Sequence, residues 1–249
     1  MKIAVWNIGH YSGGNGMKTA VPEEKLSEAT AAFRGYIDEI GADVIGICEY
    51  SYMFCNSDRI LNLGPVYAKD ALFGGYSFGY EGPQHRYSGN ALFAKCEVEG
   101  LRKKLFACNA DAVISHTDLI KAADYYYVRA TVKIDGKPVT VILAHLAFDM
   151  NLNPDTLNEA QIGELVEVLK EEERAVVIGD FNCKSFDSYR LFKEAGYTLA
   201  NDGSFNTCPT ASQNHALDNI IVKGLKVENF KAYPTTLSDH YAVSADISL

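Results

Sequence analysis

The stretch Ala175-Val176-Val177-Ile178-Gly179-Asp180-Phe181-Asn182 restricts the fold more than any other part of the chain. Residues 175–178 are apolar at every position, the pattern of a strand covered on both faces rather than one. A layer must therefore lie on each side of the sheet that contains it. Gly179 lets the backbone pass close to a neighbour without a side chain. Asp180 and Asn182 are two residues apart, so in an extended chain they point to the same side. A carboxylate and a carboxamide next to an apolar core are costly to leave unpaired. Other groups must meet them at the end of this strand.

The rest of the chain supplies partners for such a strand. Residues 2–7 read as a first strand ending in Trp6-Asn7-Ile8-Gly9, followed by a Gly- and Ser-rich loop from His10 to Gly16. Pro22 to Ile40 has helical spacing, with Leu26, Ala29, Phe33, Tyr36, Ile37 and Ile40 on one face, Pro near its start and Gly41 just past its end. Asp43 to Glu49 reads as a second strand that also ends in a carboxylate. Ser51 to Gly89 is rich in Tyr, Gly and Asn and is expected to hold a short helix and long loops. Ser88 to Lys95 reads as a strand. Tyr125 to Ile134 and Val139 to His145 read as a hairpin turning at Asp135-Gly136. Thr156 to Glu172 is an amphipathic helix, a further helix is expected near Ser185 to Ala195, and Leu217 to Val222 and Tyr241 to Ile247 are the last strands. With no composition break and no solenoid repeat, residues 1–249 read as a single domain of mixed sheets covered by helices.

Composition narrows the function. Lys and Arg number 23 against 32 Asp and Glu, a net charge of −9, which argues against a protein that grips nucleic acid through a general basic surface. A short local phosphate contact or a bound divalent cation remains compatible with it. The six cysteines are scattered with no Cys-x-x-Cys pair, and the chain shows neither a secretory signal nor a stretch long enough to span a membrane. The expectation is a cytoplasmic protein with reduced cysteines.

The predicted strands end or begin in residues that bind metals or move protons: Asn7, Glu49, His145, Asp180 with Asn182, Asp218 with Asn219, and Asp239-His240. Sequence order and motif together resemble the endonuclease/exonuclease/phosphatase superfamily. The resemblance rests on Trp6-Asn7-Ile8, Ile47-Cys48-Glu49, Ala144-His145-Leu146, Ile178-Gly179-Asp180-Phe181-Asn182, Leu217-Asp218-Asn219 and Ser238-Asp239-His240, spread over nearly the whole chain. It implies an α/β (α+β) fold, a four-layer α/β sandwich in which two packed mixed β-sheets are flanked by helices. It also implies dependence on Mg²⁺, for which Mn²⁺ may substitute.

By position, Glu49 resembles the main metal carboxylate, and Asn7 and Asp239 the groups that complete or orient the metal shell. Asp180 resembles the residue that deprotonates or aligns the attacking water, and Asn182 the amide that holds that water and the phosphate. Asp218 and His240 resemble a carboxylate–histidine pair, and His145 a second histidine on the scissile phosphate. Arg129 and Asn90 stand where relatives place phosphate-facing or supporting residues, although an ion pair would explain Arg129 equally. His10, His85, His116 and His215 belong to no pattern and are assigned to surface or loops. Tyr125-Tyr126-Tyr127 reads as strand packing before base stacking.

The resemblance implies a Mg²⁺-dependent phosphoesterase that hydrolyses a phosphodiester by in-line attack of water, with nucleic acid slightly ahead of lipid, inositol or small-molecule phosphates as substrate. A phosphomonoesterase is the variant within the same chemistry. A non-catalytic binding module on the same fold is the alternative of another class; its mark would be degenerate site positions, and none of the principal ones is degenerate. Gly9 stands where abasic-site enzymes usually carry an acidic residue, so a second metal contact is missing, and no Lys/Arg cluster of the kind that follows a duplex backbone is found. The segments Ser51 to Gly82 and Asp202 to Gln213 fall where relatives vary their substrate loops. The expected partner is the phosphate-ester substrate; the sequence indicates no membrane span and no protein partner.

Overall fold

The computed structural model describes residues 1–9, 23–52, 74–78, 86–108, 125–147, 156–183, 185–210 and 216–249. Its strands are β1 (Lys2–Asn7), β2 (Val44–Tyr52), β3 (Gly74–Phe78), β4 (Arg86–Ala94), β5 (Glu99–Leu105), β6 (Tyr126–Ile134), β7 (Lys137–His145), β8 (Ala175–Asp180), β9 (Thr198–Leu199), β10 (Asp218–Lys223), β11 (Lys226–Tyr233) and β12 (Ala242–Ser248). The helices are α1 (Leu26–Ile40), α2 (Thr156–Val168) and α3 (Arg190–Glu194). Six strands form one sheet in the order β11-β12-β1-β2-β4-β3, and six form the other in the order β5-β6-β7-β8-β10-β9.

Side-chain alternation builds the layers. Ile3, Val5, Val44 and Cys48 of the first sheet face Val139, Val141, Leu143, Val176, Ile178, Ile220 and Val222 of the second, and together they form the core between the sheets. The opposite face of the first sheet, with Ala4, Trp6, Ile45 and Ile47, receives Phe33, Tyr36, Ile37 and Ile40 of α1. The opposite face of the second sheet, with Ile142, Ala144, Val177 and Ile221, receives Ile162 and Leu165 of α2 and Phe192 of α3. Fully burying an aromatic or branched side chain of this kind stabilises by about 1.5–3 kcal/mol. Both faces of both central sheets are thus apolar, as the uninterrupted run 175–178 requires. The result is the four-layer sandwich of helix, sheet, sheet and helices.

Strand direction then concentrates the polar residues. Each sheet has a parallel pair at its centre, β1 with β2 and β7 with β8. A parallel pair ends on one side, so Asn7 lies beside Cys48 and His145 beside Asp180. The antiparallel neighbour β10 begins where β8 ends, with Asp218 opposite Asp180. In the first sheet β12 is antiparallel to β1 with Val243 opposite Val5, so the segment preceding β12 meets the end of β1. All these ends fall on one rim.

Several elements differ from the sequence reading. The charged strand β5 and the bulged strand β11 were not expected. Both are edge strands. β5 is mostly exposed and rich in Lys and Arg, and β11 loses its alternation at a register shift between Glu228 and Lys231. Strand β2 continues past Glu49 to Tyr52 across an irregularity, and part of the segment 51–89 expected as helix and loops forms β3 and the start of β4. The helix expected to reach Glu172 ends at Val168. The loop from His10 to Gly16, His85, His116, His215 and Cys55 lie outside the described residues. The five described cysteines form no disulfide with one another, and among the described residues no helix is long and apolar enough to cross a membrane.

The hairpin turn is as the sequence requires: Asp135 and Gly136 both have positive φ, 50° and 75°. The close approach at Gly179 is also real, since a Cβ there would stand 1.8 Å from the carbonyl oxygen of Ala144 on the adjacent strand. That atom is backbone and cannot rotate away. Gly179→Ala is therefore expected to destabilise the protein by about 3 kcal/mol or more, at the upper end for an overpacked core. Urea denaturation followed by circular dichroism measures it; an unchanged midpoint would contradict the packing described.

Candidate active site

Four side chains on the inner faces of the sheets, Asn7, His145, Asp180 and Asp218, meet His240 of the segment before β12 at the rim, all of them buried. Alternation alone accounts for four of them. Asn7 follows Ile3 and Val5, His145 follows Val141 and Leu143, Asp180 follows Val176 and Ile178, and Asp218 precedes Ile220 and Val222, each in step with the core residues between the sheets. The Asn7 amide nitrogen crosses the gap between sheets, donating to Asp180 Oδ2 at 2.9 Å and to Glu49 Oε1 at 3.2 Å. Its amide oxygen accepts the Gly9 N–H at 3.0 Å, which fits an orienting role better than direct ligation.

Glu49 follows inward-facing Cys48, so alternation would send it to the wrong face. The register of β2 against β4 shifts between Ile47 and Tyr50, and Glu49 takes a φ of 55°. This bulge returns the carboxylate to the rim, half-exposed, where Asn7 meets it. Asn182 is also left-handed, with a φ of 50°. Its backbone N–H donates to Asp180 Oδ1 at 3.0 Å and its side-chain nitrogen to the Leu146 carbonyl at 3.0 Å. Asn182 therefore ties the end of β8 to the end of β7. Among the described residues, two of the four non-glycine residues with positive φ are candidate site residues, and such strain persists only where surrounding bonds hold it.

Asp180 Oδ2 is the focal atom. His145 Nε2 lies 3.6 Å from it and His240 Nε2 3.8 Å. Burial pushes the Asp180 carboxyl up, but His240, His145, the Asn7 amide and the Asn182 N–H outweigh it and hold the group below its ordinary range. His240 Nδ1 meets Asp218 Oδ2 at 2.8 Å. Burial would lower His240, yet the carboxylates of Asp218 and Asp180 outweigh it and raise the imidazole well above its ordinary value. Burial, reinforced by the charge of Asp180 and opposed by His240, pushes Asp218 up to about 6. At neutral pH the pair is a carboxylate and an imidazolium.

Residues not singled out from sequence fix these groups in place. The buried Asn158 of α2 donates to the carbonyls of Ala147 and Phe181 at 2.6 and 2.8 Å, and Gln161 accepts the Ala147 N–H at 2.9 Å. Ser238 Oγ donates to the Asn7 carbonyl at 2.7 Å and accepts the His240 N–H at 3.1 Å. Trp6 Nε1 donates to the His240 carbonyl at 3.1 Å, and Thr207 Oγ1 accepts the Asp218 N–H at 3.0 Å. Asn219 bonds both ways to the Asn201 backbone, each at 2.9 Å, so it serves the neighbouring loop rather than the rim. A signal for Asn158 and Gln161 existed: they interrupt the apolar face of an amphipathic helix.

Asn90 is buried on β4 opposite the bulge of β2, its N–H bonded to the Tyr126 hydroxyl at 2.7 Å and its side-chain oxygen without a partner among the described residues. Arg129 does not join the site. It lies on the helix-covered face of β6, where its guanidinium pairs with Glu172, which also accepts from Thr140 Oγ1 at 3.0 Å. Of the two readings that the sequence leaves open for Arg129, the structure shows the ion pair.

Two groups of three ligand atoms lie within 4.8 Å of one another among the described residues: Asp180, Asp218 and His240, and Cys208, Asp239 and His240. Glu49 is in neither; within the expected metal set of Glu49, Asn7 and Asp239, the Asn7 amide bonds Glu49 Oε1 at 3.2 Å, and Ser238 Oγ donates to the Asn7 carbonyl at 2.7 Å and lies 3.3 Å from Asp239 Oδ1. The donors still fit a hard cation. Glu49 and Asp239 are half-exposed carboxylates, and buried Asp218 has one oxygen without a partner among the described residues. Mg²⁺ keeps several waters and needs only one or two protein carboxylates.

A model of the Endonuclease/Exonuclease/phosphatase family matches residues 4–240. No curated protein matches the chain in sequence. Among solved structures, an endonuclease/exonuclease/phosphatase from Beutenbergia cavernae superposes with a TM-score of 0.71 at 13% identity, covering 100% of this chain and 71% of that one. TDP2 from D. rerio, complexed with a single strand DNA product, gives a TM-score of 0.66 at 14% identity, covering 100% of this chain and 99% of that one. A mannosyl-6-phosphatase from Bacteroides thetaiotaomicron gives 0.63 at 11% identity, covering 100% of both chains. At these identities the likeness is one of fold.

The raised imidazole of His240 has a consequence for pH. Its pairing contributes stability that is complete below the ordinary imidazole value of about 6.5 and is lost as pH rises through the higher folded value. In Asp218→Asn the neighbouring charge is gone, and His240 is expected to titrate at least about one unit lower, as loss of an adjacent opposite charge does. Nitrogen-15 NMR of the ring reads this directly. An unchanged titration would contradict the pairing.

Proposed function

The chain belongs to the Endonuclease/Exonuclease/phosphatase family, and on that premise we propose that its rim hydrolyses a phosphodiester by attack of water, with a divalent cation bound and a nucleic-acid strand as the favoured substrate. Members of the family are phosphoesterase hydrolases of nuclease and phosphatase type, so the reaction class comes with membership. The observation that carries the reading is the surrounding of Asp180 Oδ2 by the Asn7 amide and the Nε2 atoms of two histidines.

A carboxylate held below its ordinary range is ionised at neutral pH and can align a water and accept its proton. The imidazolium of His240, fixed by Asp218, can donate to an oxygen on which negative charge develops, and His145 faces the same point from the other side. At 3.6 and 3.8 Å the two rings stand just outside direct hydrogen-bond reach of Asp180, so each Nε2 is available to a water or phosphate oxygen bound beside the carboxylate. Asn182 would hold the β7 and β8 ends in register during the reaction. Glu49 and Asp239 would hold Mg²⁺ or Mn²⁺, with Asn7 orienting Glu49; the bound ion would neutralise charge on the non-bridging oxygens. Asn90, buried beside the bulge with an oxygen that has no partner among the described residues, is suited to support a substrate or the Glu49 backbone.

Exposed Lys103 on β5, opposite inward-facing Val128 and over the ring of Tyr126, favours a strand substrate by placing a positive charge on the side of β5 toward the rim. The D. rerio protein of like fold, seen with a single strand DNA product, supports the same choice. A second reading, a small phosphate monoester, is favoured by the net charge of −9, which disfavours long polyanions. Initial rates on bis-p-nitrophenyl phosphate, p-nitrophenyl phosphate and a single-stranded oligonucleotide decide between them. The diester and the oligonucleotide are expected to be cleaved with Mg²⁺ or Mn²⁺ and spared with chelator. Asp180→Asn and His240→Ala should each lower kcat by about 100-fold or more, the usual worth of a positioned acid or base. Monoester cleavage alone would select the second reading, and variants as active as the parent would contradict the assigned roles.

A further inference from the structure

The cluster of Cys208, Asp239 and His240 is not explained by hydrolysis. Its sulfur, carboxylate oxygen and ring nitrogen lie within 4.8 Å of one another. We propose that these three residues form a site for a thiophilic divalent cation, Zn²⁺ or an ion like it, that overlaps the hydrolytic site through Asp239 and His240, and that filling it switches the enzyme off. The inhibitory consequence rests on the phosphoesterase reading; the binding site does not.

The donor set is chemically distinct from the oxygen ligands offered by Glu49. Thiolate and imidazole select Zn²⁺ and related ions, whereas Mg²⁺ takes oxygen. Cys208 is a free thiol, buried but adjoining half-exposed Asp239, which gives an ion a way in. The set is held rigidly. Thr207 is pinned on both sides, its carbonyl accepting the Tyr241 N–H at 2.7 Å and its hydroxyl accepting the Asp218 N–H at 3.0 Å. The Asn206 side chain accepts the Cys208 N–H at 3.1 Å. These bonds place Cys208 against the segment that carries Asp239 and His240. Behind them, Asp218 bonds His240 Nδ1 at 2.8 Å, the carboxylate–histidine arrangement that orients metal-binding imidazoles.

The thiolate of Cys208 and the carboxylate of Asp239 would offset the charge of the cation, the thiol proton passing to solvent. With its ring nitrogen on the ion His240 can no longer meet the substrate, and Asp239 is withdrawn from the Mg²⁺ set. Zn²⁺ should inhibit at concentrations far below those of Mg²⁺ without displacing Mg²⁺ from Glu49.

Co²⁺ added to the full chain in excess Mg²⁺ provides a readout independent of turnover. One equivalent is expected to give a sulfur-to-cobalt charge-transfer band in the near ultraviolet, lost in Cys208→Ala. In parallel, the Zn²⁺ concentration that halves hydrolysis of bis-p-nitrophenyl phosphate should rise at least tenfold in Cys208→Ala, each variant measured against its own zinc-free rate. Cys208→Ser, folded as judged by circular dichroism, carries both comparisons should the alanine variant fail to fold. A band that is absent from the parent, or that persists in the Cys208 variant, overturns the site. Unchanged zinc sensitivity overturns its regulatory role. If the parent hydrolyses no phosphate ester, the functional reading fails while the cobalt band still decides the site.

Discussion

The Asn7 amide is the point at which the two sheets become one site. It is buried, it belongs to the first sheet, and its nitrogen is shared between Glu49 of that sheet and Asp180 of the other. Packed sheets are held mainly by non-directional burial, which tolerates small slides. A directional bond across the gap does not. It sets how the end of β1 lies against the end of β8, and so how the side of the rim with Glu49 lies against the side with the histidines. Cys48, whose thiol reaches the Ala144 carbonyl at 3.8 Å below this bond, makes a second and weaker crossing.

Burying so many polar groups at the edge of an apolar core would be costly if any were left alone. The chain offsets this with layers of support whose members come from distant parts of the sequence: Ser238 and Trp6 behind His240, Thr207 behind Asp218, Asn158 and Gln161 behind the loops that follow β7 and β8. Two left-handed residues, Glu49 and Asn182, store local strain at the same place. Together these features preorganise donors and acceptors before any substrate arrives, which is the economical way to stabilise developing charge in a water-poor site.

Much of this was legible in the sequence because it depends on local pattern. Residues 175–178, apolar on both faces, imply a covered sheet, and the period of two places Asp180 and Asp218 in step with the core. Asp135-Gly136 specifies its turn, and Gly179 marks a close strand contact. What was not legible depends on pairing. The return of Glu49 to the inner face needs a bulge against β4, which residues 44–52 do not announce. Strands β5 and β11 lack a pattern because edge strands need no second covered face and carry charge to discourage further pairing. Arg129 sits in a strand of the right kind but on the face toward Glu172, a fact set by register alone. Asn158 and Gln161 could have been found as polar residues on an apolar helical face.

The rim also explains why one fold can serve different phosphate esters. The groups proposed to handle the phosphate come from strand ends fixed by the core, and loops carried on such a scaffold are the parts that commonly vary. Cys208 brings a soft ligand next to the proposed hard-ion set, a combination that the hydrolytic chemistry does not itself require.

The central claim is that the Asn7–Asp180 contact couples the two sheets into one catalytic unit. A double-mutant cycle on kcat/KM with Asn7→Ala, Asp180→Ala and the double variant, using bis-p-nitrophenyl phosphate and saturating Mn²⁺, tests it most directly. The account predicts strong non-additivity, with a coupling of about 1 kcal/mol or more, as for residues in direct contact within one network. Additive losses would show that the two residues act independently and would contradict it.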